Sequence, residues 1–391
     1  MKTLAIAIAS AACLTRVLAQ GPLTPPAGAN PAVGPVDALS PEGTPQATMK
    51  TLHQVEPRIP IEGVPLTINA TGSFYLTKNL HFAASAGDAI TIAASDVTID
   101  LNGFAITSDA AVTGSAIFVS GDQQNIAVRN GSIRGGSVLP TLAGFANGIV
   151  ATTAKNATFE GLLIANCRVD GLNAGSAALI SHCGANGNGG FGFKGGEVVD
   201  CVAGGNGNGM ITSSAVRCSA STNAGEGILA AFTASQCAAS RNGGTGINAP
   251  GGTVTDSNAY RNGGIGILAN DGVVSRTVAE RNSGGGIYAD AGSVSHCVAT
   301  QNGSHGITAN YGTIIGCSAR DNFGIGLNGF GANITQSRAR RNGQHGIYAS
   351  FGVIAQCTAS ENNTSATAPF TDIFPSPPDN PVSRTGNFPA P

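Results

Sequence analysis

Tryptophan is absent from this chain, methionine occurs three times, and charged side chains supply only 11% of its 391 residues. Helical bundles and coiled coils draw their outer faces from charged residues, so composition argues against both. Acids and bases nearly cancel, 22 against 20, which leaves no basic field to hold nucleic acid. No apolar run reaches the roughly 20 residues that a membrane-spanning helix needs. The fullest one, Leu4 to Leu14, follows Lys2 and precedes Val17-Leu-Ala19. That is the layout of a secretory signal over 1–19, cleaved before Gln20. Disorder is excluded for most of the chain, because 42% of it is hydrophobic.

What is abundant is glycine, with 56 residues, set in a strict period. Asn242, Asn262, Asn282, Asn302, Asn322 and Asn342 recur every twenty positions, and Asn362 follows. Four places on stand Gly246, Gly266, Gly286, Gly306, Gly326 and Gly346, each followed by Ile or Leu. A second apolar column runs from Val254 to Ile354, and a small-residue column reads Ser257, Thr277, Cys297, Cys317, Ser337, Cys357. Apolar positions within a line are two, three or five apart, a strand spacing and not a helical one. A fixed period of this length with dense glycine predicts a parallel β-solenoid, one coil per line. Stacked asparagines can then bond to one another along the axis as a ladder, each placed where a corner tolerates the left-handed conformation.

Around this array the chain divides into a signal over 1–19, a Pro/Gly/Ala-rich linker over 20–51, a solenoid over 52–363 and a Pro-rich tail over 364–391. Residues 55–82 are expected to cap the first coil, with two short strands about a turn at Thr71-Gly72. Between Arg134 and Asn147 the coil spacing admits an insertion, which must leave as a loop. Phe370 to Phe374 is placed to plug the last coil. Cys167, Cys183, Cys201, Cys218 and Cys237 extend the small-residue column upward. Because that column also accepts Ser and Thr, its cysteines are expected to be free, buried thiols.

Val55-Glu-Pro-Arg58, Gly72-Ser-Phe-Tyr-Leu76, Asp96-Val-Thr-Ile-Asp-Leu-Asn-Gly-Phe104 and the Asn-Gly-x-x-Gly-Ile units carry a resemblance. The chain resembles the exported bacterial right-handed parallel β-helix proteins of the pectate-lyase-like superfamily, over about 55 to 363. The resemblance implies a right-handed, all-β solenoid and a sugar-binding face on the Gly-Ile strand. It implies no single activity, since the superfamily mixes lyases, hydrolases, epimerases and adhesins. Its polygalacturonase and alginate-epimerase signatures are absent here.

On that face the candidate ligand-binding residues are Tyr288, Asp290, His305, Thr308, Asn310, Asn328, His345 and Tyr348, polar groups interleaved with aromatic rings. An ordinary wet strand face is the competing reading. His305 and His345 lie two coils apart, about 9–10 Å, so they cannot share one metal ion. Asp290 and His305 are separated by some 15 Å along the strand, too far for acid–base pairing. No cofactor or metal is expected. Arg129 and Arg134 are the cations nearest to hand for a carboxylated sugar. The expectation is a secreted or cell-surface protein that binds or supports polysaccharide without clear catalytic machinery. A lyase or epimerase with its site near 134–147, and a structural or adhesin module, are the alternatives.

Overall fold

The computed structural model describes residues 58–136, 143–365, 371–374, 384–385 and 388–389. The signal, the linker, the centre of the 134–147 insertion and Phe370 lie outside them. Strands stack in parallel register, coil on coil, into a β-solenoid of about 14 turns with no helix among the described residues. Each regular coil contributes to three sheets. In the coil from 242 to 261 these are Ile247–Asn248, Thr253–Thr255 and Asn258–Tyr260. Their partners one coil on are Ile267–Leu268, Val273–Ser275 and Val278–Glu280. We call the three faces the first, second and third sheets.

The periodic apolar residues fill the interior. Ile247, Val254 and Ala259, one from each sheet, are fully buried, and so are their equivalents in every coil to Ile347, Ile354 and Ala359. Small Ala on the third sheet lets the two larger columns meet, which keeps the interior close-packed.

The described part of the expected 55–82 cap, residues 58–82, holds the two short strands Leu66–Ile68 and Gly72–Leu76 and is built into the parallel stack. Ile59–Ile61 pairs in parallel with Phe74–Leu76, and Leu66–Ile68 with Ile90–Ile92. These residues are the first turn itself, because their alternating side chains extend the same buried columns. At the other end Ile373–Phe374 pairs with Ile347–Tyr348, so the tail begins by adding one more strand to the first sheet.

The asparagine ladder runs through the corner between the third and first sheets. Asn302 Oδ1 accepts both the backbone N–H and the side-chain amide of Asn282, at 3.0 Å each. Asn302 Nδ2 donates to Ala279 O at 3.0 Å and to Asn322 Oδ1 at 2.9 Å. All four hydrogen-bonding capacities of the corner are thus met inside the protein, where water cannot reach. The glycine four places on follows from the ladder. A Cβ on Gly266 would stand 2.5 Å from Asn282 Nδ2, and one on Gly286 2.8 Å from Asn302 Nδ2. The ladder also reaches above the regular coils, through Asn188, Asn206 and Asn223. At its lower end Asp372 Oδ1 takes the Asn362 amide at 2.7 Å.

One expectation about this corner is corrected. The asparagines themselves are not left-handed; the residue before each of them is. Arg241, Arg261, Arg281, Gln301, Asp321, Arg341 and Glu361 have φ between 53° and 57°. The reason is that the ladder amide must point inward along the strand, so the reversal falls on its exposed neighbour. Long solvated side chains serve there, at a backbone cost of order 1–3 kcal/mol each.

The eight cysteines from Cys167 to Cys357 are free and buried. Their thiols do the work of hydroxyls: Cys297 Sγ donates to Ser295 O at 3.1 Å, as Ser257 Oγ donates to Thr255 O at 2.7 Å. Burial pushes the Cys167 thiol up to about 12, far from reactive thiolate.

Two predictions follow from this packing. Asn302→Leu strands the buried N–H of Asn282 and removes a donor from Asn322, a loss of about 1–3 kcal/mol per unsatisfied group. Its melting temperature in a calorimetric scan is expected well below that of the parent, and an unchanged scan would contradict the ladder. Thiol titration of the denatured, unreduced protein is expected to find all eight of these cysteines, with no reaction before unfolding; two or fewer would mean disulfides.

Candidate functional site

The outward column of the first sheet runs Leu268, Tyr288, Thr308, Asn328, Tyr348, Phe374 by strand register. Tyr288 covers Gly285, where a Cβ would meet its ring at 2.6 Å. Thr308 is buried, with 6% of its surface exposed. The short threonine sits between the longer Tyr288 and Asn328, and its Oγ1 has no hydrogen-bond partner. Tyr348 stacks on Phe374 with centroids 5.2 Å apart and planes 15° off parallel. His345, expected on an open face, is 8% exposed because the added tail strand brings Phe374 within 4.8 Å of its ring.

Four of the candidate residues are occupied in holding adjacent coils together. Ile325 donates its backbone N–H to His305 Nδ1 at 2.9 Å, and Thr371 donates to His345 Nδ1 at 3.0 Å. The same edge of the sheet, earlier in the chain, is served by Asn147, Asp170 and Asn208. These accept the N–H of Asp170, Phe191 and Glu226 at 3.1, 2.9 and 2.9 Å. At the opposite edge Asp290 accepts from Asn310 N at 3.0 Å, and Asn310 from Phe330 N at 2.9 Å. Each of these side chains replaces a carbonyl where the ladder of backbone bonds has a gap. Tyr288, Asn328 and Tyr348 are the part-exposed candidates not so occupied, with Tyr348 stacked against Phe374.

Burial pushes both histidines below their ordinary pKa. An Nδ1 that accepts a backbone N–H carries no proton, so His305 is the neutral Nε2–H tautomer.

A cation does stand in this outward column, five coils above Tyr288, but the shorter coils there hide it from a period of twenty. It is Lys194. Its ammonium lies 3.4 Å from the carboxylate of buried Asp170, whose second oxygen takes the Phe191 N–H. Arg129 is similarly taken up by Asp100 at 3.3 Å, with Arg58 at 3.6 Å on the same carboxylate.

A trough opens instead on the third sheet, over the coils from Arg134 to Gly204, with a cavity volume of about 680 Å³. Its floor is apolar and shallow: Leu163 and Val202 are 61% and 53% exposed, beside Gly184 and Gly204. Arg134, Asn166 and Asn186 rim one side, His182 and Asp200 the other. Asp200 is held by Arg217 through two hydrogen bonds, 2.7 and 2.8 Å, which keep its carboxyl below the usual range. His182 Nε2 is 3.8 Å from the same carboxylate. Arg134 is exposed and has no ion pair among the described residues. Arg134 pairs with Ala165, and Ala165 with Asn186. His182 stands at the left-handed corner before the strand that ends at Asn186, two coils away from Arg134, about 10 Å by coil interval.

No protein-family model and no curated protein matches the sequence. Several solved structures are similar over most of the chain. The periplasmic alginate epimerase AlgG aligns at 12% identity over 80% of this chain and 84% of that one, with a TM-score of 0.43. An N-terminal fragment of the bacteriophage Phi29 gene product 12 aligns at 12% identity over 81% and 66%, with a TM-score of 0.48. The A-module of the Azotobacter vinelandii mannuronan C-5 epimerase AlgE6 aligns at 15% over 82% and 91%, with a TM-score of 0.33. Likeness at this level concerns the course of the backbone and not the chemistry on its surface.

The histidine edge generates a pH prediction. In the unfolded chain His305 returns to an ordinary pKa near 6.5 and binds more protons than the folded state just below that pH. Stability is then full above pH 6.5 and falls as the pH drops beneath it. His305→Asn keeps an acceptor of the kind Asn208 supplies but cannot titrate. Its melting temperature is expected to fall less than that of the parent between pH 7 and pH 5. Parallel curves would remove His305 from the pH response.

Proposed function

We propose that this chain is an exported polysaccharide-binding solenoid without catalytic machinery, and that the trough on the third sheet is its binding site. The trough itself is the observation that supports this reading. A sugar ring offers flat C–H faces to an apolar floor and hydroxyls to amides, and Leu163, Val202, Asn166 and Asn186 answer both needs. Arg134 adds an exposed guanidinium, so the ligand class favoured is a chain carrying carboxylates, which a guanidinium can grip with two parallel bonds. Crossing about three coil intervals of 4.8 Å, the trough accommodates a short run of sugar units.

Lyase or epimerase chemistry on a uronate requires a base for the ring proton and a cation for the neighbouring carboxylate on one ring. His182 and Arg134 share the trough, yet their separation of two coils exceeds the width of a single sugar. Asp200 is already bound to Arg217. These positions favour holding a chain over cutting it. Tyr288 and Asn328 on the first sheet remain a lesser surface for the same class of ligand.

Calorimetric titration of the secreted chain with oligogalacturonate is the test. Arg134→Ala is expected to weaken binding by roughly 10- to 100-fold, the worth of a hydrogen bond to a charged group. Added salt should weaken the parent but barely affect the variant. Formation of an unsaturated, ultraviolet-absorbing product from pectate or alginate would overturn the non-catalytic reading, and an Arg134→Ala variant that binds like the parent would overturn the site.

A further inference from the structure

Three aromatic residues stand out of the corner between the first and second sheets. Tyr311 is 69% exposed, Phe330 37% and Phe351 56%. Their centroids are spaced 5.3 Å and 5.3 Å, both contacts edge-on, so the rings form one continuous ridge over successive coils. Two of them occupy a backbone position that disfavours them. Tyr311 and Phe351 have φ of 57° and 59°, and the left-handed region is least hospitable to bulky side chains. In other coils the same position holds Gly251, Asp271, Ala291 and Gly331. Tyr311 is the most exposed of the three, so core packing does not explain a tyrosine there.

Beside the ridge lies a groove of about 430 Å³ along the second sheet. Asp271, Ser293, Thr313 and Asn333 line it together with Tyr311. Thr313 donates its hydroxyl to Ser293 Oγ at 2.9 Å, leaving the serine hydrogen to turn outward. Asp271 is the charged lining residue, and no lysine or arginine lines the groove.

We propose that the ridge and groove form a second glycan site, one that takes neutral pyranose chains. An aromatic wall accepts the C–H face of a sugar ring, and the hydroxyls, Asn333 amide and Asp271 carboxylate accept its polar edge. The carboxylate repels a uronate chain and nothing in the lining compensates. The ligand class is therefore opposite in charge preference to that proposed for the Arg134 trough, which lies on a different sheet. The two sites stand or fall separately.

The column itself supplies substitutions the fold accepts. Tyr311→Ala installs the residue native at position 291, and Phe330→Asn the residue native at 310. Titration of the full secreted chain with cellohexaose is expected to give saturable binding. About tenfold or greater weakening is expected in Tyr311→Ala and in Phe330→Asn, and none in Arg134→Ala. Oligogalacturonate should show the reverse pattern. No saturable binding of cellohexaose, or binding indifferent to both ridge variants, overturns the proposal. So does sedimentation of the parent as an oligomer that Tyr311→Ala converts to monomer, since the ridge would then be a contact between copies of the chain.

Discussion

From Asn206 to Asn342, each coil of this solenoid is joined to the next at a corner where a buried asparagine accepts two hydrogen bonds and donates two more. Backbone pairing alone leaves the corner with unmatched donors, and an unmatched buried donor costs more than most single contacts return. The ladder removes that cost and imposes a geometry. It keeps the coil interval constant, demands glycine four residues on, and pushes the left-handed reversal onto the exposed residue before the asparagine. Asn188 and Asp372 mark where this arrangement starts and stops.

Other polar side chains act by the same logic at the edges of the first sheet. Asn147, Asp170, Asn208, His305 and His345 differ in chemistry, yet each presents one acceptor to the N–H of the following coil. Fixed charges are likewise drawn into local pairs: Arg276 with Asp256, and Arg340 and Arg341 with Glu361. Other charged side chains, Lys78, Lys155 and Arg241 besides Arg134, have no ion pair among the described residues. Of these four, Arg134 is the one that rims the trough.

The surfaces proposed to meet sugars differ in how they arise. The trough combines an exposed cation with apolar side chains that the third sheet leaves uncovered, because small residues on adjacent coils cannot shield them. The ridge sets aromatic rings where the backbone resists them. Both sit on a rigid stack whose interval, about 4.8 Å, is close to the length of one sugar unit, which is the physical reason a solenoid suits a linear polymer.

Periodicity determined the architecture: a strict twenty-residue spacing with strand-like alternation has one economical packing, and its inward columns are readable without coordinates. The ladder from Asn242 to Asn362 and the small-residue column belong to that reading. Asn188, Asn206 and Asn223 escaped it because the coils there are shorter, although each stands five residues beyond a cysteine of the column. Column logic also kept Tyr311 and Phe351 apart from Phe330, which belongs to a different position of the repeat. Only the folded corner brings the three rings together. The histidines looked like ligands because imidazole usually signals chemistry; their role as backbone acceptors depends on which N–H the next coil leaves open. Sequence spacing determines which side chains are stacked, while the turns between sheets decide which of them are covered, which are spent on the backbone, and which face a partner.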